Sequence, residues 1–140
     1  MSRIFWDTNL FIYLFEEYGE LSQRVQTIRK KMLERGDQLF TSTFTLGELL
    51  VKPIEKGSLE LCKKYEHALA NSAVLIPFDI RAAVNYGRLR CDRSIRPPDA
   101  IQLACAGSAG VDLFITNDER LRSKRVEGIH FLTSLRGAPL

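Results

Sequence analysis

The sequence predicts a three-layer α/β/α fold with a mainly parallel central sheet. Three observations carry that expectation. Short β-branched and aromatic runs alternate with longer stretches of helical period along all 140 residues, which is the pattern of helices packed on both faces of a parallel sheet. No linker and no internal repeat interrupts the alternation, so residues 1–140 read as a single domain. Two of the strand-like runs end in or just before an aspartate. In open parallel sheets, ligands bind beyond the carboxyl ends of the strands.

The elements follow in order. Arg3 to Trp6 is the first expected strand, closed by Asp7. Leu10 to Glu17 is a short helix with Leu10, Phe11, Leu14 and Phe15 on its apolar side. Ser22 is placed to cap a second helix whose stripe is Val25, Ile28, Met32 and Leu33, and Gly36 ends it. Gln38 to Thr41 is a strand, and Thr43 to Ile54 a helix. A further helix starts at Gly57-Ser58 and reaches Ala70. Ala73 to Phe78 is a continuous apolar run, expected as a strand buried on both faces. Asp79 caps a helix through Arg90. Pro97-Pro98 opens a helix over Asp99 to Ala109, since proline is tolerated in a first turn. Asp112 to Thr116 and Gly128 to Leu132 are the last strands.

Composition narrows the class. Hydrophobic residues make up 45% and charged ones 26%, as in ordinary globular proteins. No apolar run approaches the roughly 20 residues that cross a bilayer, and the apolar start at Ile4 stops at Asp7, so neither a membrane span nor a signal peptide is expected. Cys62, Cys91 and Cys105 are odd in number and far apart, which argues against a disulfide framework or zinc ribbon and suits a reducing cytoplasm. With only His67 and His130, a histidine-based metal site or a Ser-His-Asp triad has little material. The net charge of +3 permits an anionic partner. Basic residues gather at Arg24, Arg29, Lys30, Lys31 and Arg35, and again at Arg88, Arg90, Arg93 and Arg96. The second group runs into Pro97-Pro98-Asp99, and Arg93 and Arg96 are expected to touch substrate phosphates.

Four carboxylates stand out. Asp7 closes the first strand, and Asp118 follows the Leu113 to Thr116 run by two residues. An aspartate just after a buried strand is costly to desolvate unless it meets a solvated crevice or a cation. Glu48 shares a helix face with Phe44 and Val51, beside the apolar stripe, so it is expected to be partly buried, with Lys52 as its one local partner. Gly47 before it suggests a close backbone approach. Asp99 sits in the first turn of its helix, where backbone N–H groups favour a carboxylate. Four such groups in one crevice would raise each other's pKa, and a hard divalent cation, Mg²⁺ or Mn²⁺, resolves that conflict. Such a site supports phosphodiester hydrolysis.

At these segments the sequence resembles the PIN-domain ribonucleases, and among them the VapC-type toxins. The matching pieces are Asp7-Thr8-Asn9, Gly47-Glu48-Leu49, Pro98-Asp99-Ala100-Ile101-Gln102-Leu103-Ala104 and Phe114-Ile115-Thr116-Asn117-Asp118. The resemblance implies a metal-dependent endoribonuclease whose acidic quartet is Asp7, Glu48, Asp99 and Asp118, with Glu119 as a rival for the fourth place. It implies supporting roles for Asn9, orienting Asp7, and for Thr116. It also implies an RNA substrate, a homodimer and a cognate antitoxin. A housekeeping RNA-processing nuclease and an inactive binding module of the same fold are the alternatives. A haloacid-dehalogenase site would need an aspartate where Asn9 stands, and a receiver domain would need a mid-chain acceptor aspartate and a late lysine, and neither pattern occurs.

Overall fold

The computed structural model describes residues 1–140. Five strands form one parallel sheet: β1 (Arg3–Trp6), β2 (Gln38–Ser42), β3 (Val74–Ile76), β4 (Val111–Thr116) and β5 (Ile129–Ser134). Their order across the sheet is β3-β2-β1-β4-β5. Six helices connect them: α1 (Thr8–Phe15), α2 (Glu20–Arg35), α3 (Thr43–Glu55), α4 (Leu59–Ser72), α5 (Ile80–Leu89) and α6 (Pro97–Ala109). The three-layer expectation is met. No helix is long and apolar enough to cross a membrane.

The layers follow from the period-2 alternation of the central strands. Ile4, Trp6, Leu39, Leu113 and Ile115 face one side, where they pack with Leu10, Phe11, Val25, Ile28, Met32, Leu49, Tyr65 and Leu69 of α1 to α4. Phe5, Phe40 and Phe114 face the other side, against Ala82 of α5 and Ala100, Leu103, Cys105 and Ala106 of α6. Phe5 and Phe114 stack with ring centroids 5.1 Å apart. The small residues of α6 let that helix lie close to these rings.

The strand order places the topological switch at β1. From β1 the chain builds outward through β2 and β3, then returns to pair β4 on the other side of β1. Connections leave the strand ends there in opposite directions and open a crevice. Asp7 and Thr116 lie at that crevice, at the ends of β1 and β4.

Four local expectations are corrected. Helix α1 starts earlier, at Thr8, because Asp7 caps it by accepting the Thr8 N–H. Ser22 is no cap: Gly19 holds that place, and the Ser22 hydroxyl accepts from the Tyr18 N–H and donates to the Glu16 carbonyl, tying α1 to α2. Leu33 is 63% exposed, off the buried stripe. Strand β3 is shorter than its apolar run and lies at the sheet edge, with Val74 47% exposed, so it is not buried on both faces. Gly36 does end α2, in the left-handed region at φ 74°.

At the opposite end of the sheet from the crevice, α6 meets the turn before β5 backbone to backbone. A Cβ on Gly128 (φ +89°) would stand 2.1 Å from the Gly107 carbonyl oxygen, and one on Gly107 would stand 2.6 Å from that of Glu127. Gly128→Ala is therefore expected to lower unfolding free energy by about 2–4 kcal/mol in urea titrations. A loss below about 0.5 kcal/mol, the usual size of surface effects, would show that the two segments separate freely.

Candidate functional site

Asp7 is the buried centre of the crevice, only 8% exposed. One carboxylate oxygen accepts the Thr8 N–H at 2.8 Å, and the other accepts the Thr116 hydroxyl at 2.7 Å. Its own N–H donates to the Ile115 carbonyl at 3.0 Å, which continues the β1–β4 ladder one step past the strand. Burial pushes its pKa up to about 6; the Thr116 and Thr8 hydrogen bonds oppose the rise, and the charges of Asp99 and Glu48 add to it.

Asp7, Glu48 and Asp99 line one open cleft of about 380 Å³, together with Thr8, Asn9, Arg96 and Gln102. Asp118 stands beside it. Its N–H donates to the Thr116 hydroxyl oxygen at 3.0 Å, so a single threonine links Asp7 to the Asp118 backbone. The Arg96 guanidinium bridges Asp99 at 3.3 Å and Asp118 at 3.4 Å. Arg120 grips both oxygens of Asp118 at 2.9 and 2.6 Å, and this contact, supported by Arg96, holds the Asp118 carboxyl below the usual carboxylate range. Glu119 is 54% exposed and paired with Arg122, whereas Asp118 is joined through Arg96 to Asp99 of the cleft.

Glu48 departs from its expected setting. It is exposed, makes no ion pair with Lys52, and Gly47 faces open space. The α3 face it shares is a cleft wall, with Val51 also 52% exposed, and what holds it is the Thr8 hydroxyl, donating at 2.5 Å. Asn9 does not bond Asp7. Its side-chain oxygen accepts the Asn117 N–H at 3.3 Å, and Tyr13 accepts from the Asn117 amide at 2.8 Å, so Asn9 steadies the loop after β4. Arg93 is exposed outside the cleft lining, and only Arg96 of the expected basic pair enters it.

Sequence reasoning missed Thr8, Thr45, Gln102 and Arg120. Gln102 is 1% exposed and hydrogen-bonds Thr8 and Thr45. Its signal was present: one amide inside the apolar run Ala100-Ile101-Leu103-Ala104, where a polar group needs partners. Arg120 gave no such signal among many surface arginines.

Oxygen donors alone suit Mg²⁺ or Mn²⁺ better than zinc. The carboxylates do not close into a group of three around one point, and Arg96 stands between two of them as countercharge. The buried Asp7, raised in pKa beside Glu48 and Asp99, is the group a cation would relieve. By donor chemistry the residues fit such an ion.

A parallel sheet ordered β3-β2-β1-β4-β5 with an acidic cleft at its switch point defines an α/β protein of the open-sheet class. The chain belongs to the PIN domain family, whose model matches residues 4–127. Among solved structures it is similar to VapBC2 of Rickettsia felis bound to a DNA fragment from their promoter. That match has 17% identity and a TM-score of 0.70, covering 94% of this chain and 98% of that one. DNA-bound VapBC from Salmonella typhimurium matches at 22% identity and TM-score 0.70, covering 96% and 99%. VapBC-5, a toxin–antitoxin member from Mycobacterium tuberculosis, matches at 19% identity and TM-score 0.61, covering 96% and 99%. At these identities the likeness is one of fold. No match to the chain was found among the curated proteins.

The Asp7 carboxyl has a direct consequence. It titrates near 6 in the folded chain against 3.8 as a free group. Between those values the folded state keeps a proton that the unfolded state has released, so stability falls as pH rises through this window, by roughly 2–3 kcal/mol. In EDTA, Asp7→Asn is expected to flatten that slope and to be more stable than wild type at pH 7.5. Equal slopes in urea titrations across the window would refute the burial cost.

Proposed function

We propose that this chain is a Mg²⁺- or Mn²⁺-dependent endoribonuclease that hydrolyses RNA phosphodiester bonds, with residues 1–140 acting as one domain. The observation that carries the reading is the buried, proton-raised Asp7 sharing a cleft with Glu48 and Asp99. A buried carboxylate with two further acids beside it is unfavourable for stability, and a divalent cation turns the cluster into a site. Asp7, Glu48 and Asp99 would hold the ion, with Asp118 as the fourth carboxylate. When bound, the ion would supply an activated water and neutralise charge that builds on the phosphate.

The chain's own groups do the rest. Thr116 and the Thr8 N–H each donate to one Asp7 oxygen, fixing the plane of the carboxylate. Arg120 holds Asp118 at the rim. Arg96 is exposed and bound only to carboxylates. Once these serve a cation, its guanidinium is free for a substrate phosphate, for which its planar fork is suited. Arg93 supplies a second, more distant positive charge.

The solved relatives named above include members of toxin–antitoxin systems. Carried to this chain, that supports a toxin restrained by a partner antitoxin protein; that it acts in the cytoplasm as a homodimer is part of the same proposal.

Purified protein is expected to cut structured RNA with Mg²⁺ or Mn²⁺, to stop in EDTA, and to lose at least a hundredfold of its rate in Asp99→Ala. Mn²⁺ should raise the melting temperature of wild type and leave that of Asp7→Asn unchanged; equal shifts would refute the site. Replacing Arg93 and Arg96 by alanine should weaken RNA binding and flatten its dependence on salt. An unchanged salt slope would remove both arginines from the interface.

A further inference from the structure

Beneath the cleft lies a closed network of uncharged polar side chains. Gln102 of α6 reaches across to α1 and α3, where its amide nitrogen stands 2.9 Å from the Thr8 hydroxyl and 2.7 Å from that of Thr45. Its amide oxygen accepts the hydroxyl of Ser42, at the end of β2. Thr45 and Thr41 share a 2.7 Å contact, and Thr41 donates to the Trp6 carbonyl at 2.9 Å. Thr8 stands 2.5 Å from Glu48. Ser42, Thr41 and Thr45 have no measurable exposure, and Gln102 has 1%.

Counting protons fixes every direction in this network. Each hydroxyl has one proton to give. Thr41 gives its proton to Trp6, so the short Thr41–Thr45 contact must use the proton of Thr45. Thr45 then has none for Gln102 and must accept from it, which turns the Gln102 amide nitrogen toward both threonines. Thr8, accepting from the same nitrogen, keeps its proton for Glu48 instead of the farther Thr45 oxygen at 3.3 Å. With the amide reversed, Thr8 and Thr45 would both donate to Gln102. The Thr41–Thr45 and Thr8–Glu48 contacts would then have no proton between their oxygens. Only one orientation satisfies every group.

We infer that Gln102 is a positioning residue for Glu48, acting through the hydroxyl of Thr8. The amide holds the Thr8 proton on Glu48, so that one oxygen of this otherwise exposed carboxylate is engaged and the other is presented to the cleft. Glu48 sits on a helix wall with no ion pair to steady it. The network supplies from below the restraint that neighbours on α3 do not. It also ties α1, α3 and α6, which with their caps carry Asp7, Glu48 and Asp99, into one unit. The inference rests on the proposed cation site for its consequence, but the hydrogen bond itself does not need the cation.

The test separates the two. In metal-free protein the Thr8 hydroxyl proton should exchange slowly enough to be seen by NMR in wild type. It should merge with water in Gln102→Met, a volume-conserving change, while the amide spectrum stays folded. A Thr8 hydroxyl proton still protected in Gln102→Met overturns the inference, whatever Mn²⁺ does. Mn²⁺ titration adds the functional readout. Gln102→Met should weaken Mn²⁺ binding about tenfold, the usual effect of losing a group that orients a ligand, and should have no further effect in the Glu48→Gln background. An equal loss in both backgrounds marks a general structural role and overturns the inference. If wild type binds no Mn²⁺, the proposed function fails and the proton measurement still decides this one. Should Gln102→Met not fold, Thr8→Val against Thr8→Ser replaces it: binding lost in valine and kept in serine supports the inference, and equal binding in both refutes it.

Discussion

A carboxylate that is 8% exposed at the end of the central strand is the constraint on which the rest of the site depends. Asp7 must be where it is, because strand order puts the switch point at β1 and a group at that strand end is flanked by β2, β4 and α6. Once buried, its oxygens need donors, and the chain provides two: a helix N-terminus and Thr116. The helix start at Thr8 is thus a consequence of the carboxylate. So is the turn after β4, since the Thr116 hydroxyl that serves Asp7 also receives the Asp118 N–H.

The cleft also contains its own countercharge. A chain of modest net charge, +3, concentrates acids at one strand end and sets two guanidiniums against them. Arg96 precedes the first turn of α6, rigidly placed by Pro97 and Pro98, and Arg120 lies in the short turn after β4. Both are solvated and long, so their ion pairs contribute little to stability. Their effect is electrostatic, keeping Asp118 ionised while Asp7 behind them retains its proton to higher pH.

Most of the fold was legible in the sequence because its layers are written in period. Ile4, Phe5 and Trp6 alternate between two cores, and α2 repeats Val25, Ile28 and Met32 on one side. What local pattern does not encode is which strand lies at the edge. The run from Ala73 to Phe78 looked doubly buried, yet β3 has a neighbour on one side only. Asp7, Asp99 and Asp118 were singled out from their places at strand and helix ends, and the structure brings Asp7 and Asp99 into one cleft with Asp118 beside it. Glu48 also lines that cleft, but its setting was misjudged, because helical spacing identifies a face without saying whether the neighbouring element covers it. Asn9 was given to Asp7 when it serves Asn117, a partner 108 residues away. The network around Gln102 joins side chains from four elements, and such closure exists only after folding.

The contact between Gly107 and Gly128 has a bearing on how this chain can vary. It contains no chemistry and lies at the far end of the sheet from Asp7, yet it sets the height of β5 against β4. That register continues up to the bond from the Leu135 N–H to the Thr116 carbonyl, at 2.7 Å, beside the acidic cleft. The two glycines form a spacer whose thickness is transmitted along a stiff strand. A map of tolerated substitutions would therefore show two separated intolerant regions, one defended for its charges and the other for the absence of a single carbon atom.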